Sequence, residues 1–116
     1  MNKQGVMEMT NFFTFIQNNS GGYNIINNVV AKNLIIEAEN AKKAIKKMRD
    51  ITNEYRNFCA CCGERWNEWI DDEDGTNSPM VYNVNVFEER PSNLFDQATI
   101  IYYLNGEVKK LWYDKE

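Results

Sequence analysis

A polar segment between two apolar runs is the first place where this sequence offers binding chemistry. Asn18, Asn19 and Ser20 supply amide and hydroxyl groups, while Gly21 and Gly22 allow backbone N–H groups to approach an anion closely. Such a loop can cradle phosphate, although the same composition also forms ordinary turns. The segment matches neither the Walker pattern nor the dinucleotide-binding fingerprint, so its local pattern indicates a candidate anion loop of unspecified ligand.

An arginine and a tryptophan stand side by side later in the chain. The guanidinium of Arg65 can donate two parallel hydrogen bonds to a phosphate, and the indole of Trp66 is a surface on which a base can stack. A structural role fits equally well, because Trp66 would anchor a core or an interface and Arg65 would pair with the acidic residues that follow. The pair is therefore a candidate ligand contact with a structural alternative.

Cys59, Cys61 and Cys62 supply three thiols within a short segment. Zinc sites normally use two spaced cysteine pairs, or cysteines with histidines, and this chain has no histidine and no second cysteine pair. A fourth ligand would have to be a carboxylate such as Glu64 or come from a neighbouring protomer. We therefore expect small thiols packed beneath a turn and no bound metal.

Catalytic chemistry has little support in this sequence. The absence of histidine removes the Ser-His and Cys-His arrangements that activate nucleophiles. No pair of carboxylates is spaced for acid–base catalysis, and no base partner is identifiable for Cys61 or Cys62. The sequence therefore predicts a binding protein with no catalytic residues and no cofactor.

The overall composition predicts one folded domain over residues 1–116. The hydrophobic content is 43% and the aromatic content 13%, and at this length two separate cores would each be marginal. The formal net charge of −4 repels long DNA or RNA unless cations gather on one face. Residues 42–56 do hold six cations against two acids, a pattern that usually forms a solvated helix face. A small aromatic-rich core also favours a homo-oligomer.

The same sequence predicts a soluble, cytoplasmic protein with no membrane partner. No apolar run approaches the length that spans a bilayer, and residues 1–10 lack the basic start and apolar run of a signal peptide. The cysteines all fall within Cys59–Cys62 and cannot form a paired disulfide framework, which suits a reducing compartment.

The hydrophobic pattern predicts an α+β fold, in which an antiparallel β-sheet meander carries one long amphipathic helix packed on it. Asn11–Gln17 and Tyr23–Ile26 flank the polar turn as a hairpin, and the apolar run from Val29 gives a third strand that ends at Glu37. From Asn40, a candidate N-cap, apolar residues recur at helical spacing beneath a lysine-rich outer face.

Two further strand regions are predicted in the later half. Val81–Val86 alternates in parity, which is typical of one strand that is half-exposed on one face. Ile100–Tyr103 and Val108–Tyr113 flank Asn105-Gly106, a strong signal for a two-residue hairpin because both positions tolerate positive φ.

Taken in order, four segments resemble the first-described Thoeris anti-defence family of phages. They are Phe-x-Phe-x-Gln-Asn-Asn-Ser-Gly-Gly at Phe13–Gly22, Ile-Glu-Ala at Ile36–Ala38, Cys-x-Cys-Cys-Gly-x-Arg-Trp at Cys59–Trp66, and Ile-Tyr-Tyr-x-x-Gly-x-Val-Lys at Ile101–Lys109. The resemblance covers most of the chain, and the first and third of these segments are its most specific parts.

Members of that family are small phage proteins that bind the cyclic ADP-ribose isomers made by TIR-domain proteins of bacterial Thoeris systems. They sequester the signal without degrading it, and some also trap cyclic di- or trinucleotides from cGAS-like CBASS enzymes at a separate site. They assemble as dimers or hexamers. The resemblance implies that this chain is a sponge for glycocyclic ADP-ribose in the host cytoplasm, and it leaves open whether cyclic di- or trinucleotides also bind.

The resemblance also implies a set of ligand contacts. It places Asn18, Asn19, Ser20, Gly21 and Arg65 at nucleotide sites, with Trp66 either structural or stacking. A second set follows from side-chain chemistry and from its place in the later half, where the family lines a pocket between protomers: Tyr82, Phe87, Arg90, Asn93, Tyr103, Lys109 and Lys110. Cations, amides and aromatic rings are the groups that phosphates, ribose hydroxyls and adenine require.

A different class of function remains as an alternative. Exposed tryptophan and tyrosine side chains are common anchors of protein interfaces, so the chain could directly block a host defence enzyme. A sponge would release intact nucleotide on denaturation, whereas a protein-interaction inhibitor would co-purify with a polypeptide.

Overall fold

The computed structural model describes residues 10–17, 25–53, 58–59, 63–64, 66, 70, 74–81, 84–89 and 98–112. In chain order the elements are β1 (Asn11–Ile16), β2 (Asn33–Ala38), α1 (Ala41–Thr52), β3 (Phe58–Cys59), β4 (Gly63–Glu64), β5 (Met80–Val81), β6 (Val84–Asn85), β7 (Thr99–Tyr102) and β8 (Val108–Leu111). No helix within these ranges has the length and apolar character that crossing a membrane requires.

The central sheet has four strands in the order β1-β2-β7-β8. The two outer pairs are antiparallel, but β2 and β7 are parallel, with Leu34 opposite Ile100 and Ile36 opposite Tyr102. A parallel pair needs a long crossover connection, which the chain between β2 and β7 provides. The predicted α+β class is therefore confirmed, and the predicted all-antiparallel meander is corrected to a mixed sheet.

Helix α1 packs on one face of this sheet, as predicted. It begins after Asn40, whose side-chain oxygen accepts a hydrogen bond from the Lys43 N–H at 2.9 Å and so satisfies one of the exposed donors of the first turn. Ala44, Met48 and Thr52 form its buried stripe. The two apolar members of that stripe belong to a core that includes Phe13, Leu34, Ile36 and Ile100 from the strands.

The opposite face of the sheet is covered by the β5–β6 hairpin. Ile35 and Ile101 point to this face and form a second cluster with Val81 and Val86. The prediction of one strand over Val81–Val86 is wrong, because Val81 pairs with Val84 in a tight antiparallel hairpin. The chain reversal puts Val81 on the same side of the hairpin as Val84, although one strand would place them on opposite faces, and an alternation of residue types does not mark where the chain reverses.

The first predicted hairpin also differs from the observed arrangement. β1 pairs directly with β2, with Ile16 opposite Asn33, and Ile25 and Ile26 lie outside any strand. Tyr23 and Asn24 fall outside the described residues. The cause is visible at Gln17, whose side chain hydrogen-bonds the backbone of Ile25 and so replaces the strand pairing that the apolar pattern indicates.

The hairpin between β7 and β8 is confirmed, with a loop one residue longer than predicted. The Tyr103 N–H donates to the Glu107 carbonyl at 2.9 Å, and the Gly106 N–H donates to the Tyr103 carbonyl at 3.0 Å. The loop is therefore Leu104-Asn105-Gly106, in which Gly106 adopts a φ of +101° while Asn105 does not adopt positive φ.

The outer edge of β1 is partly covered by the segment that begins at Asp74. Phe12 and Thr76 exchange two backbone hydrogen bonds of 2.9 Å, and the Asn11 side chain donates to the Asp74 carbonyl at 2.9 Å. Gly75 between them has a φ of +77°. This contact occupies backbone groups that an open sheet edge would otherwise expose.

Candidate functional site

An exposed aromatic ring and a lysine meet on the face of the sheet that carries the β5–β6 hairpin. Phe87 lies in the turn after β6, and the side-chain oxygen of Asn85 holds that turn by accepting the Phe87 N–H at 2.8 Å. The Lys109 ammonium on β8 lies 5.7 Å from the centroid of the Phe87 ring, within cation–π range. Phe87 remains 49% exposed, so a cation lies next to an aromatic ring that a ligand can still reach.

Tyr103 lies at the end of β7, close to Lys109. Its ring makes an edge-to-face contact with Phe12, with centroids 5.9 Å apart, which fixes its orientation. Partial burial raises the pKa of Tyr103, and the negative charges of Glu107 and Glu37 raise it further. The phenol therefore stays protonated at neutral pH and can donate a hydrogen bond to a ligand.

The depression beside these residues is small. It has a volume of about 160 Å³ and is lined by Tyr103, Glu107, Val108 and Lys109. Drug-sized ligands usually occupy roughly 300–1,000 Å³, so this depression accommodates a phosphate or a ribose and not a whole nucleotide. The remainder of a nucleotide would have to contact further surface, such as the Phe87 ring or a second copy of the chain.

Lys110 lies on the other face of the sheet from Lys109, because successive side chains of a strand point in opposite directions. Its ammonium contacts the side-chain oxygen of Asn28 at 3.3 Å. Asn28 belongs to residues 25–32, which connect the polar segment to β2. The structure therefore separates two lysines that the sequence analysis placed in one set.

Gln17 closes the base of the polar segment. Its side-chain amide donates to the carbonyls of Ile25 at 3.1 Å and Ala31 at 2.9 Å, and its side-chain oxygen accepts the Ile25 N–H at 2.8 Å. The side chain is 1% exposed. One buried amide thus fixes the separation of the two residues that flank 18–24, a role that the sequence analysis did not assign to it.

Replacing Gln17 by leucine should lower the free energy of unfolding by about 2–3 kcal/mol, because it leaves buried backbone groups of Ile25 and Ala31 without these partners. Urea denaturation measures the change. Lys32→Met is the comparison variant, since it removes the bond from the Lys32 ammonium to the Gln17 carbonyl at a partly exposed position and leaves the Gln17 side chain unchanged. Equal stability of the two variants would contradict the assigned role of the Gln17 side chain.

The other predicted contacts divide into two groups. Asn18, Asn19, Ser20, Gly21, Arg65, Tyr82, Arg90 and Asn93 lie outside the described residues. Trp66 is described and is 0% exposed within the core that α1 covers, an environment that fits the structural alternative left open for it.

At the cysteines, the expected absence of a bound metal stays a prediction. Cys61 and Cys62 lie outside the described residues, and only the backbone of Cys59 is described, in β3. Elsewhere in the described ranges, no three histidine, cysteine, aspartate or glutamate side chains come together as metal ligands would. What the described site offers is binding chemistry: a cation, a ring and a phenolic donor.

Comparison with known proteins places this chain in a family. A family model described as a domain of unknown function, DUF7296, matches residues 10–116. No curated protein and no solved structure matches the chain. Since the family model spans nearly the whole sequence, the chain belongs to the DUF7296 family.

Proposed function

We propose that this chain is a phage anti-defence sponge, which binds the TIR-derived signal glycocyclic ADP-ribose of bacterial Thoeris systems without cleaving it. The segments that resemble the Thoeris anti-defence family support this proposal, and one structural observation carries it further. Phe87, Tyr103 and Lys109 were all chosen as ligand contacts from sequence; Tyr103 and Lys109 line one depression, and Phe87 lies against the Lys109 ammonium. They offer the adenine, the ribose and the pyrophosphate one suitable group each.

Sequestration is favoured over hydrolysis by the chemistry of the chain. The sequence contains no histidine, so the general-base arrangements most common in hydrolases are missing. A sponge needs only affinity, and it removes signal in proportion to the amount of protein present. The proposal places this action in the host cytoplasm.

The small size of the depression favours a homo-oligomeric sponge, either dimer or hexamer. A volume of about 160 Å³ encloses only part of a cyclic dinucleotide-like ligand. A second copy packed against this face would add the missing wall, and selectivity against linear nucleotides would follow from a preorganised, enclosed shape. Light scattering of the purified protein, with and without ligand, measures the assembly.

The central experiment is capture and release. Purified protein is incubated with the product of an active Thoeris TIR enzyme, filtered, heat-denatured and analysed by mass spectrometry. We expect unaltered cyclic ADP-ribose isomer in the released fraction. Ligand left free in the filtrate would contradict the sponge, and a cleaved nucleotide appearing over time would replace sequestration by hydrolysis.

Lys109→Gln should weaken binding of that ligand by about 10- to 100-fold, because a charge-assisted contact to phosphate and the cation beside the stacking ring are both lost. Isothermal titration calorimetry measures the affinity. Lys47→Gln is the control, since it makes the same charge change at an exposed position on α1. Equal weakening by both variants would show a general charge effect and no site at Lys109.

An inhibitor that binds a host defence protein is the second candidate. Leu104 and Val108 are 50% and 47% exposed near the tip of the β7–β8 hairpin, and exposed apolar side chains of this kind often mark interfaces. A tagged chain recovered from infected cells should then carry a stoichiometric polypeptide and no nucleotide. The sponge proposal predicts that the recovered chain carries nucleotide and no stoichiometric polypeptide.

A further inference from the structure

An acidic side chain, that of Glu107, also lines the depression that contains Tyr103 and Lys109. The Tyr103 N–H donates to the Glu107 carbonyl at 2.9 Å, so the β7–β8 ladder continues by one pair beyond Tyr102 and Val108. Opposed residues of an antiparallel pair carry their side chains on one face, and so do residues two apart on one strand. The Glu107 carboxylate therefore lies on the same face of the sheet as the Tyr103 phenol and the Lys109 ammonium.

The Glu107 carboxylate lies near the Tyr103 phenol and is open to a ligand. Burial raises the pKa of Tyr103, and the negative charge of Glu107 adds to this increase, which a distant, solvent-screened carboxylate would not do. Within the part of the chain that the structure describes, neither side chain has a hydrogen bond or an ion pair. Glu37 differs, because its two carboxylate oxygens accept hydrogen bonds from the Thr10 hydroxyl at 2.7 Å and the Leu104 N–H at 3.0 Å. Of these two carboxylates, that of Glu107 is the one available to a ligand.

A carboxylate beside a phenol selects a sugar diol over a phosphate. An ionised carboxylate only accepts hydrogen bonds, whereas a phenol hydroxyl can also donate one. The two neighbouring hydroxyls of a ribose can donate to Glu107 and accept from Tyr103 at the same time. A phosphate offers mainly acceptor oxygens and carries a charge of the same sign as the carboxylate, so Glu107 repels it. The depression, of about 160 Å³, is also the size of one sugar ring and not of a nucleotide.

We propose that Glu107 is the specificity-determining residue of this site, because its carboxylate binds the free diol of a ribose in the depression and keeps phosphate out of it. The role rests on the proposed sponge function, since it assigns one part of the signal nucleotide to this carboxylate. Closing a glycocyclic ring uses a hydroxyl of the adenosine ribose, so the intact diol belongs to the other ribose. A nucleotide that carries a phosphate on that diol should be rejected.

Two probes with opposite expected responses test the proposal by calorimetry and NMR titration: purified glycocyclic ADP-ribose and inorganic pyrophosphate. Glu107→Gln should weaken binding of the nucleotide by about fivefold or more, because the diol then donates to a neutral acceptor instead of a charged one. The same variant should strengthen binding of pyrophosphate by about two- to fourfold, because a nearby like charge is removed. Glu88→Gln makes the same charge change at an exposed position outside the described lining of the depression. It should leave the nucleotide affinity within about twofold.

Each other result has a separate meaning. If Glu107→Gln weakens binding of both probes, the residue has a structural role and the proposal fails. If it strengthens binding of both, Glu107 only repels anions and does not bind the diol. Equal weakening of the nucleotide by Glu88→Gln would reduce the effect to general charge. A wild-type chain that binds no glycocyclic ADP-ribose would contradict the sponge itself, and the assignment of the diol would fall with it.

Discussion

Replacing Trp66 by alanine is expected to lower the free energy of unfolding by about 3–5 kcal/mol, the largest effect of any single change proposed for this chain. The indole is 0% exposed and belongs to the core that also holds Met48 and Ile70. Removing it leaves a cavity of ring size, which the surrounding strands and helix can fill only in part. Equilibrium denaturation in urea, with an unchanged m-value, measures the loss.

Trp66→Phe separates the structural role from the stacking role. Phenylalanine retains much of the buried aromatic volume, so the variant should remain folded with a smaller loss of stability. Its affinity for the signal nucleotide should equal that of the wild type, because a buried ring offers a ligand no surface. A folded Trp66→Phe protein that has lost affinity would instead favour a stacking role for the indole.

Gly75→Ala should destabilise the fold by about 2–4 kcal/mol, through backbone strain and overpacking together. Gly75 has a φ of +77°, and a Cβ placed on it would lie 2.7 Å from the Cβ of Asn11 and 3.0 Å from the ring of Phe13. Neither neighbour is the flexible end of a long side chain. The segment that carries Thr76 should therefore separate from the edge of β1.

Gly106→Ala supplies the matched comparison for that prediction. Gly106 also has positive φ, at +101°, but a Cβ there would meet nothing within 4 Å. Its expected effect is backbone strain alone, about 1–2 kcal/mol. The difference between the two variants, read from thermal or urea midpoints, isolates the contact with β1. Equal losses of unfolding free energy at both positions would show that the close approach of Gly75 to β1 adds nothing to the cost of the substitution.

The elements governed by local pattern were predictable from the sequence. Asn40 is a cap residue followed by an apolar stripe of helical period, and α1 begins at the next residue and buries that stripe. Asn105-Gly106 marks the β7–β8 hairpin for a similarly local reason, the tolerance of Gly106 for positive φ. In each case the interactions that decide the structure lie within a few residues.

The features set by distant partners were not predictable in the same way. The parallel pairing of β2 with β7 depends on residues far apart in the chain, and an apolar strand does not specify its neighbour. Likewise, the amide of Gln17 overrides the apolar pattern at Ile25 by bonding its backbone. For the candidate site, residue type and position in the later half of the chain selected Phe87, Tyr103 and Lys109. These two criteria could not show that Lys110 lies on the other face of the sheet.

The parallel pair at the centre of the sheet has a consequence for how the chain acquires its structure. β2 is flanked by β1, which precedes it closely in the chain, and by β7, which follows only after residues 39–98. Until Thr99–Tyr102 has been synthesised, the apolar run Leu34-Ile35-Ile36 has one unpaired edge. Closing the intervening chain costs conformational entropy before the β2–β7 contacts form, so folding should be slow for a protein of this size. During that interval the nascent chain exposes the strand edge most prone to pair with other chains.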